Sequence, residues 1–319
     1  MTAPALELRK ITKRFGDFCA VNQVDLAVPR NRVVALVGES GSGKTTTGLL
    51  ALRLIEATSG QILLDGHDIS RIGQKEMKPY RRQLQVVFQD SYSSLDPMMT
   101  LGKIVGEPLQ IHGVGSSAEQ RDQVQVWLEK VGLDGSYANR YPHELSGGQK
   151  QRINIARALI LKPKLLVADE ATAALDVSIQ ADILNLYMDL KEEFNLTFVC
   201  ITHDLAVAMH VSDVIAVMYL GVIVEYAPSE VLHRHSAHPY TRALLSAEPA
   251  ALPKRLQSGQ RIVLQGEIPS PVAPPSGCRF RTRCPIAQAV CAEKVPEFRP
   301  LAEGHRVACH FPLIEKGAS

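Results

Sequence analysis

Uninterrupted apolar runs punctuate the chain. Val33 to Val37, Leu165 to Ala168 and the stretch LTFVCIT at 196–202 show no polar alternation. That pattern predicts short strands buried on both faces of a parallel sheet covered by helices. The stretch VVFQ at 86–89 reads as a further strand ending at Gln89. The most apolar run, Val214 to Val224, has about half the ~20 residues a membrane span needs. Gly221 also interrupts it, so two short buried strands joined by a turn are predicted. Residues 6–30 and 61–66 read as short strands with turns, Asp65-Gly66 among them, forming an antiparallel sheet beside the core. Helical periodicity appears elsewhere. Ser117 and Gln120 have capping-box spacing ahead of the stripe Val124, Trp127, Leu128 and Val131. From Ser178 a second stripe runs through Ile179, Ile183, Leu186 and Leu190. No internal repeat is visible.

The 319 residues, 45% of them hydrophobic, allow two domains, or one large domain with an appendix. A net charge of +2 gives no charge-based case for nucleic-acid or membrane-surface binding. The opening MTAPALELRK lacks the apolar core of a signal peptide, so any membrane connection is expected to come through a partner.

The chemistry concentrates at the ends of the apolar runs. After Val37 come Gly38, Ser40, Gly41, Gly43, Lys44, Thr45 and Thr46, then a helix predicted to run to about Ile55. This is G-x-x-x-x-G-K-[ST] between a strand and a helix. Glycines let the backbone curl round an anion with N–H groups inward, and the helix N-terminus adds partial positive charge. Lys44 is suited to the β and γ phosphates of a nucleotide, and the Thr45 hydroxyl to Mg²⁺. Asp169 closes the apolar run at 165–168, at the strand edge where ligands of open α/β sheets bind, and is placed to support Mg²⁺. Glu170, pointing differently, is the candidate general base, a role that contributes about 10²–10⁴ in rate. His203 and Gln89 end two further strands; the first is suited to a γ-phosphate and the second to both metal and water. The stretch HELSGGQKQR at 143–152 has no nucleophile. Ser146, Gly147, Gly148 and Gln149 open a basic helix there, a second backbone anion site.

Taken together, residues 33–46, 143–152, 165–176 and 200–204 resemble an ABC-type ATPase subunit, a resemblance that spans about residues 6–245. It implies a P-loop NTPase of ABC type: an α/β, RecA-like core, an antiparallel β subdomain, and a helical subdomain at about 90–158, all within residues 1–250. It also implies that Ser146 to Gln149 bind the γ-phosphate of ATP held by a second subunit. Phe15 would stack on adenine, Asp176 would lie on a loop at the dimer interface, and QDSYSSLDP, beginning at Gln89, would move with the γ-phosphate and dock on the membrane subunit. Ala171 and Ala173 stand where the family usually has proline and serine; loss of that serine hydroxyl weakens the case for tight coupling between two sites.

The last fifth of the chain is different. A proline-rich linker, Pro269 to Pro275, precedes Cys278, Cys284, Cys291 and Cys309. A segment this short needs a staple. Disulfides are not expected beside a cytosolic ATP site, whereas four thiolates suit Zn²⁺ or an iron–sulfur cluster. The spacing matches neither zinc ribbons nor standard ferredoxins and leaves the choice open. Residues 238–247 and 264–280 resemble the C-terminal extension of oligopeptide/dipeptide/nickel importer ATPases, which implies a [4Fe–4S] cluster on the four cysteines within a Cys-rich extension at 251–319. His233, His235 and His238 are expected in a solvated loop, and Cys19 and Cys200 in apolar surroundings. The family implies an ATP-hydrolysing subunit for import of peptides or related solutes. It would lie peripherally on the cytoplasmic face of the bacterial inner membrane. Its partners would be a paralogous ATPase, two membrane-spanning permease subunits and a periplasmic or extracellular solute-binding protein. The alternative, a soluble ABC ATPase of ribosome or nucleic acid, calls for tandem ATPase halves or a long coiled-coil insertion, and the sequence has neither.

Overall fold

The structure is a computed structural model that describes residues 3–89, 94–173, 175–247 and 262–313. The chain divides into two compact units: residues 1–71 with 200–319, and residues 72–199.

The first unit holds two sheets. One is antiparallel, with Phe18–Val28, Leu6–Phe15, Ser59–Leu64 and His67–Asp68 in that order. The turn at Asp65-Gly66 lies where predicted, with both residues at positive φ. In the other sheet Val33–Val37 pairs in parallel with Val214–Tyr219, which turns back at Leu220-Gly221 into Val222–Pro228. His305–Val307 and Arg299–Ala302 then extend the edge. The apolar run at 214–224 is thus a hairpin of two buried strands, as Gly221 foretold. Every residue of Val33–Val37 is buried, which explains the absence of polar alternation in that strand.

The second unit pairs Leu84–Val87 in parallel with Leu165–Asp169 and carries the long helices Leu101–His112, Ser117–Lys130, Gly147–Leu159 and Val177–Phe194. Val124, Trp127, Leu128 and Val131 are all buried, and the Trp127 ring stacks on Phe194 with centroids 5.1 Å apart. Ile183, Leu186 and Leu190 form the buried stripe of the last helix. The strand Thr197–Thr202 spans the division between the units.

Several expectations need correction. The helix after the phosphate loop ends at Ala51, not Ile55; Arg53 takes a left-handed backbone that no helix continues through. The capping box lies one residue earlier than predicted: Ser116 caps, and Glu119 returns the bond to its N–H at 2.7 Å. Gln120 instead donates to the Val114 carbonyl. Gln89 lies two residues beyond its strand, which ends at Val87. Cys200 is buried, but Cys19 is only half-buried, its thiol directed to the Val21 carbonyl at 3.4 Å.

The histidine stretch is the largest departure. His238 is 1% exposed, not solvated. Its N–H and that of Ala237 donate to the fully buried Glu225 carboxylate at 2.9 and 2.6 Å, and His305 Nε2 meets the same group at 2.8 Å. These bonds satisfy a carboxylate that would otherwise be costly to bury, and they tie the cysteine-rich extension to the sheet. His238 Nδ1 accepts from Tyr240 N–H at 3.1 Å.

Burial pushes His238 down from 6.5 to about 4, against the nearby Glu225 carboxylate, which favours the charged form. As pH falls below 6.5 the unfolded chain binds a proton that the folded chain refuses, so stability is lost as pH drops towards 4. The loss reaches about 3 kcal/mol at most. Denaturant unfolding between pH 7 and pH 4.5 should show this slope, and His238→Asn, which keeps an acceptor for Tyr240, should flatten it. An unchanged slope in that variant would assign the acid sensitivity to another group.

Candidate functional site: a phosphate loop and a second anion cradle

In the first unit the buried strand Val33–Val37 delivers the chain into the loop 38–43, and the helix Lys44–Ala51 leaves it. The loop approaches neighbouring backbone so closely that side chains are excluded. A Cβ at Gly38 would lie 2.3 Å from the Met218 carbonyl, and one at Gly43 would lie 2.5 Å from the Ala20 carbonyl. Gly43 also has φ +100°, where L side chains are strained. Lys44 is 4% exposed, and its Nζ donates to the carbonyls of Gly38 and Glu39 at 2.8 and 3.1 Å. The ammonium is folded back over the loop as its positive centre. Ser40, Gly41 and Thr45 are exposed, with Thr46 half-buried. The chain thus gathers Gly38, Ser40, Gly41, Gly43, Lys44, Thr45 and Thr46 around one helix N-terminus, where the first N–H groups have no intrahelical partner.

The same unit carries Phe15 and His203. Phe15 ends its strand and is 49% exposed, with Lys13 Nζ 4.9 Å from the ring centroid. His203 follows the strand Thr197–Thr202 and is exposed. The turn holding it is fixed by Asp204, whose N–H donates to Thr202 Oγ1 and whose carboxylate caps Val207 N–H, both at 3.0 Å.

The second unit holds the remaining site residues. Asp169 is the last residue of its strand and is buried; Glu170 follows, half-buried, at φ +46°. A left-handed glutamate is a strained backbone, of order 1–3 kcal/mol, and it ends the strand between the two carboxylates. Asp176 is exposed at the cap of the helix Val177–Phe194; Gln89 is exposed as well. Residues 90–93 of QDSYSSLDP and Ala174 lie outside the described residues.

The second cradle is a true helix N-terminus. Ser146 is the cap of Gly147–Leu159 in a capping box with Gln149. Ser146 N–H donates to Gln149 Oε1 at 3.0 Å, and Gln149 Nε2 donates to Tyr137 Oη at 3.0 Å. The glutamine therefore anchors the turn while Gly147 and Gly148 form the first turn of the helix. A Cβ at Gly148 would press on Ile179 Cγ2 at 2.7 Å, which explains glycine there.

All four extension cysteines are free thiols. Burial first, and the neighbouring cysteine sulfurs after it, push the thiols of Cys278, Cys284 and Cys309 up, that of Cys309 to about 11. Among the described residues no group of three or more His, Cys, Asp or Glu is assembled so as to hold a metal ion. Residues missed from sequence are Glu39, Tyr240 and Arg283, which meet at the phosphate loop, and Arg279, which bonds the Leu220 carbonyl in the turn behind it. Their separation along the chain left no local signal, and only the arginine alternation in CRFRTRC at 278–284 hinted at them.

Comparison with known proteins places this geometry. Residues 21–173 match the ABC transporter family model, and residues 224–291 match that of the oligopeptide/dipeptide transporter C-terminal region. The oligopeptide transport ATP-binding protein AppF of Bacillus subtilis is 47% identical over 318 residues, 96% of this chain and 97% of its own. The chain is an ABC transporter ATP-binding subunit. A putative peptide import ATP-binding protein of Brucella ovis is 49% identical over 310 residues, again 96% of this chain and 97% of its own. Among solved structures, the ABC subunit resembles the dimeric bacterial ABC transporter cassette MJ0796. The TM-score is 0.64 at 32% identity, over 70% of this chain and 98% of that one. It shares its fold with cbiO1 of Clostridium perfringens, TM-score 0.68 at 24% identity, over 80% of this chain and 98% of that one. As an ABC-type ATPase it uses ATP and Mg²⁺.

Gly43→Ala in this ABC subunit combines a left-handed φ with a carbonyl collision. Its ATP affinity should fall by about tenfold or more, the equivalent of the 1–3 kcal/mol that such strain costs. Titration with a fluorescent ATP analogue reads this; wild-type affinity would show that the loop tolerates a Cβ.

Proposed function

We propose that this subunit energises import of peptides or related small solutes across the bacterial inner membrane, lying peripherally on its cytoplasmic face. Its sequence relatives named for oligopeptide and peptide import support that substrate class. In this reading residues 1–250 are the ATPase, with its helical subdomain at about 90–158, and residues 251–319 are the extension. The partners are a paralogous ATPase, two membrane-spanning permease subunits and a solute-binding protein.

One observation supports the mechanism: a single chain has two separate glycine-bearing helix N-termini, at Lys44–Ala51 and Gly147–Leu159, each suited to an anion. Its own loop, Gly38 to Thr46, takes the phosphates of one ATP. The cradle at Ser146, Gly147, Gly148 and Gln149 takes the γ-phosphate of the ATP held by its partner, so nucleotide joins two subunits head to tail. The ADP- and Pi-bound form of MJ0796 is also described as dimeric. Asp176 lies at that interface in this reading, and Phe15, exposed and flat, stacks on adenine.

Catalysis is positioning and charge stabilisation. Lys44 balances the β and γ phosphates. Glu170 accepts a proton from the attacking water, and His203 and Gln89 orient that water against the γ-phosphate. Mg²⁺ suits hard-oxygen donors of the kind that the Asp169 carboxylate, the Thr45 hydroxyl and the Gln89 amide offer. When bound it neutralises charge on the phosphate oxygens. The [4Fe–4S] cluster of the extension belongs to the same proposal. Cys278, Cys284, Cys291 and Cys309 are the four soft sulfurs that would hold it; among the described residues they are not gathered into a metal-holding group. When bound, the cluster cross-links a segment that has little core of its own.

Two outcomes test the assignment. Lys44→Ala should lose ATP affinity, and Glu170→Gln should bind ATP normally while steady-state hydrolysis falls by about 10²-fold or more. Nucleotide titration and phosphate release measure these. Normal turnover in Glu170→Gln would remove the general base from this residue, and undiminished ATP binding in Lys44→Ala would remove the nucleotide from this loop.

A further inference from the structure

The cysteine-rich extension returns to the phosphate-loop end of the first unit, where Arg283 reaches the loop itself and Arg279 reaches the Leu220-Gly221 turn bonded to it. Arg283 Nη1 and Nη2 donate to the two Glu39 carboxylate oxygens at 2.8 and 3.2 Å. The Arg283 side chain is 8% exposed, and its guanidinium lies 6.0 Å from the Tyr219 ring centroid. Two-pronged pairs of this kind fix direction as well as distance. Glu39 is the second residue of the loop, and every part of it is held. Its N–H donates to Tyr240 Oη at 3.0 Å, its carboxylate takes Arg283, and its carbonyl accepts from Lys44 Nζ at 3.1 Å.

At the other end of the loop the Ser42 carbonyl accepts from Gly221 N–H at 2.8 Å. Gly221 sits in the hairpin turn Leu220-Gly221, both residues at positive φ. Arg279 Nη1 donates to the Leu220 carbonyl in that same turn. Between the two arginines Phe280 is 1% exposed, its ring centroid 5.3 Å from Tyr219 and 5.4 Å from Tyr240. Cys278 and Cys291 pack into the same apolar cluster as Val37, the residue that leads into the loop.

We propose that Arg283, with Arg279 in support, is a positioning residue for ATP binding: the extension braces the phosphate loop by clamping Glu39 and the Leu220-Gly221 turn. The brace does two physical things. It holds the loop backbone in its cradle shape before nucleotide arrives, so less ordering is left for binding to supply. It also neutralises a carboxylate carried by the loop itself, which would otherwise repel a polyphosphate. Arg281 is the natural contrast. It lies in the same segment, yet its guanidinium donates only to the Ser276 carbonyl and hydroxyl among its described hydrogen bonds.

This proposal rests on the phosphate-loop reading above, and the experiment separates the two. ATP affinity is measured on the full-length chain with a fluorescent ATP analogue, and KM and kcat on the assembled transporter. Circular dichroism and melting temperature confirm folding. Arg283→Gln should raise Kd and KM for ATP about tenfold, as loss of one charge-assisted pair does, with kcat within about twofold of wild type. Adding Glu39→Gln should rescue part of that loss, because the unpaired carboxylate is then gone. Arg281→Gln should match wild type. Wild-type affinity in folded Arg283→Gln overturns the proposal, as does a double variant as weak as the product of the singles, or an equal loss in Arg281→Gln. If Arg283→Gln does not fold, the swapped pair Glu39→Lys with Arg283→Glu replaces it. Affinity there should recover relative to Glu39→Lys alone, and failure to recover overturns the brace. Lys44→Ala is the reference: if it still binds ATP the loop reading fails, whereas if it alone loses ATP the loop stands and the brace falls.

Discussion

A backbone cradle works only while the atoms around it leave no room for side chains and no freedom to relax. In this protein the constraint is visible at Gly38 and Gly43, where the carbonyls of Met218 and Ala20 occupy the space a Cβ would take. Met218 lies on the strand beside Val33–Val37, and Ala20 lies in the antiparallel sheet. The cradle is therefore shaped by neighbouring strands as much as by its own glycines. Lys44 completes it from within, its ammonium resting on two loop carbonyls. What the helix N-terminus and the lysine contribute electrostatically depends on that fixed geometry.

Much of this was legible because the decisive features are local. Val33 to Val37 reads as a doubly buried strand from its lack of polar alternation, and the glycine-lysine-threonine spacing names the loop. Gly221 splits the apolar run at 214–224 into the hairpin observed. The stripe through Val124, Trp127, Leu128 and Val131 is a buried helix face. Element ends were less legible. The capping box moved by one residue because Ser116 and Ser117 are adjacent, and only Ser116 has glutamate three residues on. Helical periodicity near Ile55 could not reveal the left-handed Arg53.

The illegible part is the non-local part. His238 looks like one of three histidines in a polar stretch, yet Glu225 and Phe280, distant in sequence, enclose it. Glu39 stands at a position where the phosphate-loop pattern allows any residue. Its partners Tyr240 and Arg283 come from segments whose spacing says nothing about the loop. Buried polar groups of this kind need specific partners, and the chain supplies them from far away. Glu170 is a middle case: the sequence names it, but its left-handed backbone is set by the fold around it.

The distance along the chain has a consequence for biosynthesis. Glu39 and Arg283 are 244 residues apart. During translation the loop emerges well before the segment that grips it. A nascent chain therefore holds a complete P-loop motif long before it holds a complete cradle. The order of synthesis itself withholds the Arg283 grip on Glu39 until the extension has been made.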